Sequence, residues 1–204
     1  MNIYVGSNFV LELALLQEQH AACEEILRLC GSGGARLIVP AYCLMEPHET
    51  LGRRQDERRR VKDTLDRQFR QIVRTVLYRD RLRELENATS LLVDSANDDI
   101  SRLEGVRSKL LACAEVAPLE AMILDRAAQV QRATDLTSQD AVVYASILVH
   151  LERSGEPGCF VTRDADFGNP DIKRKLGEHN CKLIVGFEAG LQFLRRPSLE
   201  GAPE

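Results

Sequence analysis

Four short apolar runs constrain this chain most: "IYV" at 3–5, "RLIV" at 36–39, "CFVT" at 159–162 and "KLIV" at 182–185. Each is continuous rather than alternating, the pattern of a strand covered on both faces, which is characteristic of parallel sheets. Helical spacing fills the gaps between them. Residues 9–30 place Leu11, Leu15, Ala22, Ile26 and Leu29 at roughly helical intervals before the "GSGG" turn at Gly31. Near the C-terminus, "NPDIKRKLG" offers Asn169 as N-cap, Pro170 as first helical residue and Gly177 as a stop. Strand–helix alternation of this kind predicts an α/β fold, a parallel sheet of four or five strands between layers of helices.

Between about Leu44 and Ala117 the pattern changes to long, charged helix with no strand signal. Val61, Leu65, Phe69, Ile72 and Val76 form one apolar stripe at steps of three and four. Arg53, Arg60, Arg67 and Arg74 recur every seven residues, only about 20° short of two turns, and so form a row on nearly the opposite face. The stretch 47–117 reads as a helical insertion packed on the α/β core. Pro118 opens a further helix to about Thr134. A single domain over 1–196 with a disordered tail at 197–204 is expected.

The net charge of −4 argues against a general positive field that coats nucleic acid, though it leaves room for a local basic groove. No apolar run approaches a membrane span, and the chain enters a strand at once, so a soluble, cytoplasmic protein is expected. The six cysteines include no CxxC pair, which favours buried thiols over disulfides or a zinc site.

An open parallel sheet binds ligands at the carboxyl ends of its strands. Glu46 follows the second run, Asp140 falls in the first turn of "TSQDAVVYASILVHL" where Thr137 or Ser138 can cap, and Asp164 and Asp166 lie in "VTRDADF". Each has a plain structural explanation: a solvent-facing helical residue for Glu46, a helix N-terminal charge for Asp140, turn residues for Asp164 and Asp166. Brought together, they become harder to explain that way. Two carboxylates about 4 Å apart repel by roughly 4 kcal/mol at an effective dielectric of 20, so a cluster needs protonation or a cation. Hard oxygen ligands suit Mg²⁺ or Mn²⁺. At the end of the first run stands Gly6, which can coordinate nothing. Arg163, beside the acidic loop, is a candidate phosphate contact by position. The basic segment "RRQDERRRVK" reads as an RNA track or as a solvated helix face, and the lack of interleaved aromatics favours the latter. His48, near Glu46, is the one histidine close enough to a candidate acid to matter.

In the order "IYVGSNFVLEL", "PAYCLMEPHETL", "TSQDAVVYASIL" and "FVTRDADF", the chain resembles the PIN-domain family of small metal-dependent ribonucleases, many of them toxins of toxin–antitoxin pairs. The resemblance implies a parallel α/β/α sandwich with an acidic pocket at the strand ends, an RNA substrate and Mg²⁺ or Mn²⁺ as cofactor. An antitoxin partner and a homodimer are further family expectations. By this resemblance Glu46, Asp140 and Asp164 correspond to family acids that hold the metal, Asp166 is an added ligand or water-positioning group, and Ser7 and Asn8 brace the pocket. Gly6 departs from the pattern, because the family normally carries an acid there. Two origins fit: a degenerate member used for binding, or a change acquired or introduced during expression. The survival of the other acids favours the second. Two alternative functions stay open. One is a catalytically dead PIN-like module that binds RNA or protein. The other is an unrelated acidic α/β phosphohydrolase or phosphoacceptor domain, against which the missing acid after the first strand also weighs.

Overall fold

The structure, a computed structural model, describes residues 1–195, with the side chains of 79–84 and 86–88 left aside. The tail expected at 197–204 lies outside the described residues. Five strands form one parallel sheet: β1 (Asn2–Val5), β2 (Arg36–Pro40), β3 (Glu115–Ala117), β4 (Gly158–Thr162) and β5 (Cys181–Val185), in the spatial order β3-β2-β1-β4-β5. The pairing is parallel throughout, with Ile3 opposite Leu37 and Cys159, and Cys159 opposite Lys182. β1 and β4 are buried along their whole length, as their continuous apolar runs require.

β1 is the centre of the sheet and its switch point. The chain builds outward from β1 through β2 to β3, then returns to the other side of β1 for β4 and β5. In open α/β sheets the ligand crevice opens at such a point, outside the carboxyl ends of the two strands that diverge there. Here those strands are β1, followed by Gly6, and β4, followed by Arg163 and Asp164.

Two differences from the sequence reading concern the helices. Residues 9–30 form two helices rather than one: α1 (Ser7–Ala14) and α2 (His20–Gly31). The break falls at Leu16, which takes a left-handed backbone with φ 50°. Helical spacing continues across it because α1 and α2 both turn apolar residues to the same core. The stretch with no strand signal contains β3, a three-residue edge strand with one buried residue, Ala117, too short for periodicity to register.

α3 (Glu46–Ile72) and α4 (Arg79–Cys113) pack on each other and connect β2 to β3. α4 also packs on α1, where the Arg102 guanidinium donates to the Ala14 carbonyl at 2.8 Å, and it buries Leu103 and Leu110 fully in the core. The stripe expected on α3 is only partly used: Leu65 and Phe69 are half-buried, whereas Val61 and Val76 are exposed. Across the seam run polar links instead: Gln55 to Asn97, and Arg58 to Ser95 and Asp99. Arg53, Arg60 and Arg67 are exposed on the far side of α3, while Arg74 lies beyond its end.

α5 (Ala121–Ala133) starts three residues after Pro118 and packs on α6 (Ser138–Ser154). α6 ends at Gly155, whose φ of 63° is the left-handed C-cap that glycine adopts without Cβ strain. α7 (Pro170–Glu178) is capped by Asn169, whose side chain accepts from the Asp171 N–H. α8 (Phe187–Arg195) closes the layer beside β4, where Gly190 packs directly on Val161. All six cysteines are free, and only Cys113 is exposed. Among the described residues no helix is long and apolar enough to cross a membrane.

Candidate active site

The candidate acids reach the carboxyl edge of the sheet from three elements. Glu46 opens α3, just after a 3-10 turn (Ala41–Leu44) that follows β2. Asp140 sits in the first turn of α6 and is fixed reciprocally by Thr137. The Asp140 N–H donates to Thr137 Oγ1 at 3.2 Å, and the Thr137 hydroxyl donates back to Asp140 Oδ2 at 2.5 Å. The cap confirms Thr137 over Ser138 and holds one carboxylate oxygen in place. Asp164 caps a 3-10 turn (Ala165–Gly168), its Oδ1 accepting from the Asp166 N–H at 2.9 Å. That is the local turn bond expected of an aspartate, and it also fixes the side chain's direction.

The electrostatics of Asp140 tie the four acids together. Its carboxyl is held above the ordinary aspartate range, first by burial and then by the charges of Asp164, Glu46 and Asp166, against the lowering effect of the Thr137 hydrogen bond. Glu46, Asp140 and Asp164 are each half-buried, and Asp166 is exposed. Beneath them the fully buried Cys43 thiol is pushed up to about 12, chiefly by burial, with Glu46 and Asp140 adding to the rise and the Ser7 hydroxyl opposing it. Ser7 thus belongs under the acidic edge. Its buried hydroxyl has no nitrogen or oxygen partner among the described residues and faces the Cys43 sulfur instead.

Gly6 is the N-cap of α1 and supplies no capping side chain. Its backbone is extended, with φ −101° and ψ −172°, so nothing in its conformation demands glycine. A Cβ built there meets only Val143 Cγ1, at 3.8 Å, an ordinary contact. Since Val143 is one turn beyond Asp140 on α6, a side chain at position 6 would stand beside that first turn. A Cβ is accommodated there without a clash.

Arg163 is committed elsewhere. Its Nη1 donates to Glu12 Oε2 at 2.8 Å and to Glu18 Oε2 at 3.0 Å. Glu12 is the residue that the sequence reading missed. It lies on the buried face of α1 with only 2% of its side chain exposed, and it also accepts from the Gln19 N–H. The one signal was a lone acid inside the apolar run "NFVLELALL". Asn8, half-buried, lines a polar hollow of about 350 Å³ together with Glu12, Gln17, Glu18, Arg54 and Arg163. His48 faces Glu104 at 3.6 Å rather than Glu46.

The donor set at the edge suits a hard divalent cation in type and in charge, and such a cation would offset both the burial of the Asp140 carboxylate and its repulsion by Asp164, Glu46 and Asp166. It is short in number. Among the described residues no three acids, cysteines or histidines stand close enough together to hold one ion, and the position beside α6 that an acid could fill is Gly6.

No curated protein and no solved structure matches the chain. Residues 3–167, which run from β1 through the Asp164 turn, match the PIN domain family. Parallel five-stranded topology and a family match over most of the sequence agree: the chain belongs to the PIN-domain family.

Proposed function

We propose that the protein is a metal-dependent endoribonuclease of PIN type, attenuated by glycine at position 6. The single observation that carries this reading is the placing of Glu46 on α3, Asp140 on α6 and Asp164 and Asp166 in the turn after β4 near one another, so that the Asp140 carboxyl is raised first by burial and then by those three charges. Solvated surface acids have no reason to converge at a sheet switch point, and such convergence is costly unless a cation or a proton offsets it. Glu46, Asp140 and Asp164 are the residues that would hold Mg²⁺ or Mn²⁺, which when bound supplies Lewis acidity at a phosphodiester and lowers the pKa of a coordinated water.

The chain's own groups then have separate tasks. Thr137 keeps Asp140 in one orientation, and the Asp164 turn bond does the same for Asp164. Asp166, exposed at the rim, is placed to position a water or to serve as an added ligand. Ser7 braces the floor through Cys43.

The experiment is RNA cleavage with Mg²⁺ or Mn²⁺, comparing the parent with Gly6→Asp. The aspartate variant is expected to cut single-stranded RNA and the parent to cut it weakly or not at all. If the variant cuts nothing with either metal, the reading fails. Gly6 itself favours a second reading, a catalytically inactive PIN-like module. That reading requires RNA or partner binding by the parent that chelator leaves unchanged.

A further inference from the structure

We infer that the hollow between α1, α3 and the loop after β4 is a subsite for one nucleotide of an RNA strand crossing the acidic edge. The inference rests on the ribonuclease reading of that edge and names what holds the strand next to it.

The hollow is polar and, at about 350 Å³, of a size for a single small-molecule unit rather than a peptide helix. It adjoins the edge at two points. Asn8 is two residues beyond Gly6, and Arg163 immediately precedes Asp164. Three of its four charges are already paired, since Arg163 bridges the buried Glu12 and the exposed Glu18. What remains is chemically specific. Among the described residues, no hydrogen bond or ion pair engages the Arg54 guanidinium or the side-chain amides of Asn8 and Gln17.

A free guanidinium offers a planar fork of donors matched to phosphate oxygens. Each amide offers two donors and an acceptor, the complement of a base edge. A strand whose scissile phosphate is repelled by unneutralised acids gains a counter-charge one step away at Arg54. The rest of α3 does not provide this generally. Its other exposed arginines, Arg53, Arg59, Arg60, Arg67 and Arg70, are interspersed with the exposed acids Glu49, Asp56, Glu57 and Asp63, so the rest of the exposed surface is only weakly positive and gives RNA little general guidance. Arg53 and Arg54 are consecutive, equally charged and both exposed, yet only Arg54 lines the hollow.

That pair gives the test. Binding of a labelled single-stranded RNA to the full chain is measured by fluorescence anisotropy in EDTA, across a salt series, so that cleavage plays no part. Arg54→Ala is expected to weaken binding about tenfold and to reduce the slope of log K against log salt by about 0.7, one single-strand phosphate contact. Arg53→Ala is expected to stay within about twofold of the parent. Gln17→Ala is expected to alter the ranking of the four homopolymers, whereas Arg54→Ala lowers them all together. Equal losses for the two arginine variants overturn the subsite, as does a parent that binds no RNA. Failure of Gly6→Asp to cleave would instead overturn the ribonuclease reading and leave the arginine comparison standing. Among the described residues Arg54 has no partner to lose, so thermal unfolding of its variant should match the parent and exclude misfolding as the cause.

Discussion

Replacing Arg163 with alanine tests whether the loop after β4 is anchored by the buried acid on α1. Glu12 is almost fully enclosed and receives two donors, the Arg163 guanidinium and the Gln19 N–H. Gln19 in turn accepts from the Phe187 N–H at 2.7 Å, so the chain of contacts runs from β4 through α1 to α8. Breaking a buried ion pair on one side costs about 3–5 kcal/mol, because a charge is left behind without a partner. Two features reduce that here. The Arg163 side chain is 37% exposed, and Glu12 keeps its Gln19 bond and borders a hollow that water can enter. The expected loss for Arg163→Ala is therefore about 2–3 kcal/mol. For a chain of this length that lowers the melting temperature by roughly 5–10 °C. Glu12→Gln, which leaves the exposed Arg163 with Glu18, should cost about 1 kcal/mol. The Glu12→Gln/Arg163→Ala double variant should be more stable than Arg163→Ala alone, because the stranded charge has gone. Urea unfolding followed by circular dichroism measures all three. An Arg163→Ala loss under about 0.5 kcal/mol, or losses that simply add in the double variant, would refute the anchor.

Two further outcomes follow from the same geometry. The Asp140 carboxyl is raised in the folded state, so folding favours its protonated form. That contribution is full below the ordinary aspartate value and is lost as pH rises through the folded one. Asp140→Asn should therefore be more stable than the parent at neutral pH, with the gap closing as pH falls through about 4, and parallel stability–pH curves would contradict this. Gly190→Ala forces a Cβ to within 2.5 Å of Val161 Cγ1 and should destabilise by about 1–3 kcal/mol in thermal unfolding, where an unchanged melting temperature would show that α8 yields freely.

How much could be read in advance varies with the physics of each feature. The sheet was legible because β1, β2, β4 and β5 carry continuous apolar runs that have few other uses. β3 was not, since three residues at an edge, one of them buried, carry no period. The α1–α2 break was hidden because the apolar spacing persists across Leu16, where only the backbone turns left-handed. At the site, strand ends and caps located Glu46, Asp140 and Asp164, because local signals fix where those residues sit. Arg163 was placed correctly in the chain, yet its guanidinium turns to Glu12, 151 residues away. Pairings of that separation, like the hollow around Arg54, leave no local trace. Gly6 was the reverse case: the absence was plain in the sequence, and the structure adds that its extended backbone does not require glycine and that a Cβ there makes only an ordinary contact with Val143.

The account turns on the proposal that the acids around Asp140 bind a divalent cation and that position 6 withholds a ligand from it. Mn²⁺ titration followed by selective broadening of backbone amide signals reads this directly in the parent and in Gly6→Asp. The expected result is broadening centred on residues 46, 140 and 164 in both proteins, with the added carboxylate tightening Mn²⁺ on the order of tenfold to a hundredfold. Equal affinity in the two proteins, or broadening centred away from those three residues, would contradict it.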